Sequence, residues 1–289
     1  MRATQIDVKL DSGNKVYVDA ERFESPSDFL NYVNGCTCKY EQHRDTLDDN
    51  YVTRDSWYGF RSAKKLKDDF AHSRVDPSIL RNIKHDIDFN GERVKTEFFN
   101  SVVGFAPVVP LALMGVPTCM RNSRPVVVKS KILDVYVNVS ASGGIDSERL
   151  KEVTTKLIED VIALERQGYR LNVYGCWATS GLDENQYTVR RAVCVSVKLK
   201  DAGQPVDLGR VIWPFTTSGF HRGLCHGWYR RTNVVRGYMD GMGSSWCYED
   251  NRAIRDKVVP VLFGNNAVFI GTADYLRGKS INDFRDVTV

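Results

Sequence analysis

No stretch of this 289-residue sequence reaches the roughly 18 consecutive apolar residues of a membrane span. The longest candidate, Val102 to Met114, is cut by Pro107 and Pro110. The opening residues, MRATQIDVKLDSG, lack the apolar core of a secretory signal. Seven cysteines form an odd, sparse set, which excludes a disulfide scaffold and points to a reducing, cytosolic setting. Zinc-type spacing is missing too: Cys36-x-Cys38 with His43 has no second Cys/His pair at the usual distance, so structural roles are expected there. With 42% hydrophobic and 26% charged residues, the chain has enough apolar material for a sizeable core and reads as a soluble globular protein.

Acid is absent from two long segments. Residues 101 to 131 hold Arg121, Arg124, Lys129 and Lys131 against no Asp or Glu. Between Asp207 and Asp240 lie Arg210, Arg222, Arg230, Arg231 and Arg236, again with no acid. Such segments suit an anion-facing surface, or are scattered surface charge.

Taken in order, Ile6, Val8, Leu10, Val16 and Val18 alternate with polar residues around Asp11-Ser12-Gly13-Asn14, a β-hairpin pattern. Ser25-Pro26 starts a helix that Gly35 ends, and Ser62 caps a basic amphipathic helix through Phe70. Asn90-Gly91 reads as a turn. The block from Val102 to Met120 carries Pro107, Pro110 and Pro117, each holding its predecessor extended. It reads as an apolar connector packed along the main domain, with one helical turn at 110 to 114.

The chain is organised around Lys131 to Leu150. Val135, Val137 and Val139 follow Ile132 and Leu133, the pattern of a strand covered on both faces. Ser140, Ser142, Gly143 and Gly144 then turn into a helix capped by Asp146 or Ser147, with Val153, Leu157, Val161 and Leu164 on one stripe. Tyr169 to Trp177 and Val189 to Leu199 are further strands, separated by a polar loop at 179 to 188. Residues 206 to 231 return as interrupted helix, Asn251 to Val259 as a short helix and Ala267 to Ile270 as a last buried strand. Glycine-rich Gly237 to Cys247 reads as a mobile surface loop. This predicts an α/β protein with an α+β region at 1–100, a connector at 101–131 and a layered sheet domain at 132–289.

Trp57-Tyr58-Gly59 with Ser62, the Gly104-Phe105-x-Pro107-x-x-Pro110-x-x-Leu113-x-Gly115-x-Pro117-x-x-Met120 block, and Asn138-Val-Ser140 together resemble an uncharacterised family of tailed phages and prophages. That resemblance implies a phage origin, with a host-cytoplasmic or virion location and a phage or host protein as partner. The strand ending Asn138-Val-Ser140-Ala-Ser142 also resembles a von Willebrand factor A domain, which implies a Rossmann-like three-layer sheet. In that family the strand ends in D-x-S-x-S and helps hold a divalent ion. Here Ser140 and Ser142 match the hydroxyl positions while Asn138 replaces the aspartate, so a metal-free version is expected. Were the site filled, Mg²⁺ or Mn²⁺ would sit among Asn138, Ser140, Ser142 and Asp240.

Three functional readings follow. The first is a non-enzymatic interaction protein that presents the strand-end loops 140 to 144, 178 to 185 and 237 to 246, with no membrane partner. In that reading Ser140, Ser142, Gly143 and Gly144 offer hydroxyl and amide donors beside a helix N-terminus, although the loop is neither G-x-G-x-x-G nor a lysine-bearing phosphate loop. The second is a single-stranded nucleic-acid binder using Arg222, Arg230, Arg231 and Arg236 interleaved with Trp213, Phe220, Trp228, Tyr229 and Tyr238. The third is an enzyme, either metal-assisted or built on Cys225 and His221, which share a helix face at i and i+4.

Overall fold

A computed structural model describes residues 2–39, 45–49, 60–75, 94–127, 131–141, 147–216 and 218–284. The chain divides into two compact units, one made of 1–85 with 132–289 and the other of 86–131.

In the larger unit the expected hairpin forms β1 (Arg2–Lys9) and β2 (Lys15–Phe23), paired antiparallel. Helix α1 (Pro26–Gly35) starts where Ser25 Oγ accepts the Asp28 amide at 3.0 Å, and α2 (Ala63–Ala71) where Ser62 Oγ accepts that of Lys65 at 3.2 Å. A serine in extended conformation at each start satisfies one of the amides a helix N-terminus leaves open.

The smaller unit holds β3 (Val94–Ser101), β4 (Ala106–Pro107), the short helix α3 (Val109–Leu113) and β5 (Met120–Val127). Its three strands pair antiparallel in the order β3-β5-β4. The helical turn after Pro110 is where the prolines placed it. The residues around it, however, build a sheet with β3, which starts before the expected boundary at residue 100.

The remaining elements belong to the larger unit. They are β6 (Lys131–Asn138), α4 (Ser147–Arg166), β7 (Tyr169–Leu182), β8 (Arg190–Lys200), α5 (Leu208–Thr216), α6 (His226–Arg231), β9 (Ser244–Ser245), α7 (Arg252–Phe263), β10 (Val268–Gly271) and α8 (Thr272–Leu276). A π-helical stretch, Gly219–Cys225, joins α5 to α6. Seven strands make one mixed sheet in the order β1-β2-β8-β7-β6-β10, with β9 added against β7. β2 runs parallel to β8 and β10 parallel to β6, while β7 and β8 form an antiparallel pair. Strands β6 and β7 climb together, since Asp134 meets Asn172 and Asn138 meets Ala178. The first two strands therefore extend the same sheet as residues 132–289. They do not form a separate layer.

Each face of the sheet carries its own core. Val135, Val137, Val139, Trp177, Val193, Val195 and Val197 face α1, α2, α4, α5 and α6, whereas Tyr136, Tyr174, Cys176, Ala178 and Cys194 face α7. A central strand buried on both faces explains why β6 reads as a near-continuous apolar run. Around the π-helical stretch, a Cβ on Gly223 would lie 2.4 Å from Leu66 Cδ2, so only glycine lets this segment pack so closely.

Candidate functional site

At the end of β6, Asn138 and Ser140 meet Ala178 of β7 and Ser245 of β9, which close over the strand end. Asn138 is fully buried at the carboxyl end of β6. Its Nδ2 donates to Ala178 O (3.0 Å) and Ser245 Oγ (3.2 Å), and its Oδ1 accepts from Ser140 N (3.1 Å) and Ala178 N (2.9 Å). Ser140, 2% exposed, donates its hydroxyl to Ala178 O at 3.0 Å and lies 2.7 Å from Ser245 Oγ. β9 plugs the junction, and Trp246 and Cys247 bury behind it. This corrects two expectations. Ser140 does not face an open cleft, and residues 244–247 are not a mobile surface loop. Ser142, Gly143 and Gly144 lie outside the described residues.

The asparagine has a structural reason. An aspartate there accepts hydrogen bonds only, and its second oxygen would oppose the Ala178 carbonyl. Of the expected ion set, Asp240 lines a cavity beside Glu184 and Tyr238, and Ser142 is not among the described residues. Among the described residues no group of three or more His, Cys, Asp or Glu side chains is placed to hold a metal ion.

That cavity, of about 320 Å³, lies where the end of β7 meets the loop before β9. Backbone pairing of Asp183 with Met239 and a Glu184 N to Tyr238 O hydrogen bond (2.9 Å) join the two segments. Its lining is Glu184, Tyr229, Arg230, Tyr238, Met239, Asp240, Gly241 and Met242. Tyr229 and Tyr238 pack edge to face, ring centroids 5.0 Å apart, and Tyr229 OH accepts the Met239 amide at 2.6 Å. Just behind the rim, Asp183 pairs with Arg191. Burial alone would raise the Asp183 carboxyl, but hydrogen bonds from Arg191 and from the Asn185 and Gln186 amides outweigh it and hold the pKa below the usual value. Gly243, at φ +70°, is required because a Cβ there would lie 2.8 Å from Ser180 O.

Two of the four arginines expected to meet phosphate, Arg222 and Arg231, are turned inward, and a third, Arg236, is exposed but ion-paired. Arg231 pairs with Asp45 at 2.5 Å and donates to Val33 O at 3.0 Å. Arg236 pairs with buried Asp19 at 2.6 Å and with Asp7 at 3.2 Å. Arg222 is 5% exposed. Arg230 alone lines the cavity. Counting acids along the sequence could not find these pairings, because Asp19 and Asp45 lie some two hundred residues away.

Cys225 is fully buried, and burial pushes its thiol well above its ordinary pKa, which disfavours the thiolate a nucleophile needs. Burial, with the nearby Arg222 charge, lowers the His221 pKa and keeps its ring neutral.

The smaller unit presents the other conspicuous surface. None of residues 96–124 is buried. Val102, Val103, Phe105, Val109, Leu113 and Met114 are 59% to 84% exposed. No charged residue occurs from Phe98 to Met120, and Arg121 and Arg124 follow. From Phe105 to Pro117, seven amides donate to carbonyls within the unit, and three positions are prolines with no amide to satisfy. The apolar patch therefore carries few backbone groups that need water. The 23-residue uncharged run was the sequence signal for it.

A family model described as a domain of unknown function, DUF7192, matches residues 11–267. The chain belongs to the DUF7192 family. No curated protein and no solved structure matches it. No helix among the described residues is long and apolar enough to cross a membrane.

Proposed function

We propose that this chain is a non-enzymatic, phage-encoded interaction protein that docks a phage or host protein, in the host cytoplasm or the virion, through the apolar surface at 98–120. The supporting observation is the exposure of those six large apolar side chains on a small unit in which no residue from 96 to 124 is buried. Large apolar side chains left exposed together on one small unit point to an interaction site. Fully burying such a side chain is worth about 1.5–3 kcal/mol, so covering six of them yields on the order of 10 kcal/mol. That is comparable to the entropy lost when two proteins associate.

The larger unit holds the mixed sheet. Setting aside the two-residue β9, the strands within residues 132–289 lie in the order third, second, first, fourth, which suits a von Willebrand factor A-like sheet. The sealed Asn138 supports the metal-free form of that fold. The ion pairs of Arg231 and Arg236 count against the nucleic-acid reading, and the burial of Cys225 counts against a Cys/His enzyme.

The test replaces Val103 and Leu113 with Asp. Both residues are exposed, so the urea midpoint of the double variant should match that of the parent. On gel filtration of extracts from producing cells, the parent should elute in a complex that the variant does not form. Identical elution of the two would contradict the proposal.

A further inference from the structure

We propose that the cavity at the end of β7 takes the guanidinium of an arginine presented by a protein partner. Glu184 and Asp240 stand on its wall and, among the described residues, neither carboxylate accepts a hydrogen bond or joins an ion pair. Half-buried Tyr238 supplies an aromatic ring on the wall, and Tyr229, 1% exposed, packs edge to face behind it with centroids 5.0 Å apart. Met239, 4% exposed, and half-buried Met242 give the space a polarisable, adaptable lining. Carboxylates beside aromatic faces in a partly desolvated pocket are the combination that holds a cation. Arginine fits better than lysine, because a planar guanidinium stacks on a tyrosine while pairing with a carboxylate through two parallel N–H bonds.

Arg230 on the same wall argues against a cation but does not reverse the balance. Arg230 takes part in interactions with other residues. Even with its full charge counted, two carboxylates against one guanidinium leave the lining at −1. The neighbouring charges, Asp183 and Arg191, neutralise each other. Assigning the guanidinium to a protein rests on the interaction reading above, whereas the chemistry of the cavity does not.

The experiment uses the full chain with ¹³C-labelled methionine methyls, so Met239 and Met242 report directly from the cavity. N-acetyl-arginine amide should shift those two signals saturably. The neutral isostere, N-acetyl-citrulline amide, should not shift them, and the lysine amide should bind more weakly. Asp240→Asn and Glu184→Gln are isosteric changes at solvent-accessible positions, and each should weaken binding about tenfold, or about 1.4 kcal/mol. The proposal is overturned if arginine amide shifts neither signal, or if citrulline or lysine amide matches it. Shifts caused instead by inorganic phosphate would overturn it as well, and tighter binding of agmatine would reassign the cavity to a free amine. The ligands are free amides, so failure here leaves the 98–120 surface untouched, and failure of that surface leaves the titration untouched.

Discussion

Asn138→Asp is the sharpest perturbation of the strand-end junction. The wild-type amide is fully buried, donates to Ala178 O and Ser245 Oγ and accepts two backbone amides. Aspartate keeps the two acceptances. It loses both donations, and its new oxygen faces the Ala178 carbonyl at the former 3.0 Å donor distance. Each orphaned buried acceptor costs about 1–3 kcal/mol, and a buried charge stripped of its partner about 3–5 kcal/mol. A loss of about 4 kcal/mol is expected near pH 7, read as a lower urea midpoint at an unchanged slope. The carboxyl would escape part of that cost by staying protonated, so the loss should shrink toward pH 4. Millimolar Mg²⁺ should restore nothing, because Ser140 already donates inward and Asp240 lines a cavity beside Glu184 and Tyr238. A loss under about 1 kcal/mol, or recovery with Mg²⁺, would refute the sealed junction and favour a metal site.

Glu21 accepts from Trp228 Nε1 (2.6 Å) and Thr232 Oγ1 (3.1 Å), and burial raises its pKa despite those bonds. The unfolded chain ionises first, so stability falls as pH climbs above about 4.5 until the folded carboxyl also ionises. Glu21→Gln should remove that fall, giving more stability relative to the parent at pH 7.5 than at pH 4.5 in urea titrations; an equal difference at both would count against it. His226 has its pKa pushed well below normal, by burial first and then by the nearby His221, Arg230 and Arg222. Its stabilisation is complete above about pH 6.5 and is lost as pH falls, by at most about 1.4 kcal/mol per unit. His226→Gln should flatten acid unfolding between pH 6.5 and 5, and an unchanged slope would disprove the assignment. Iodoacetamide on the native chain should modify half-exposed Cys36 and Cys119 long before buried Cys225, as peptide mass mapping would show. Comparable rates at all three would return Cys225 to consideration as a nucleophile.

Local pattern carried much of the fold. The hairpin at Gly13, the caps at Ser25 and Ser62, the apolar run of β6 and the stripe of α4 rest on contacts a few residues apart, where periodicity and turn chemistry act directly. Long-range satisfaction escaped it. The departure at Asn138 was visible, but the carbonyl that needs its amide lies 40 residues on and the serine 107 residues on. The arginines looked unpaired because Arg231 and Arg236 meet carboxylates 186 and 217 residues away. Glycine at 237, 241 and 243 suggested mobility, whereas Gly243 is there to approach Ser180 O, and Trp246 behind it anchors the segment in the core. Of the cavity, Tyr229, Arg230, Tyr238 and Asp240 were legible as candidates. Their meeting with Glu184 goes with the strand-end pairing of Asp183 with Met239.

The most direct test of the interaction surface places a photo-activated benzoylphenylalanine at Leu113, 84% exposed, in the cells where the chain is made, with Glu249, 76% exposed, as the polar control. A discrete protein adduct from position 113, absent from position 249, is the expected result. Equal labelling from both positions, or no adduct at 113, would contradict a docking role for the 98–120 surface.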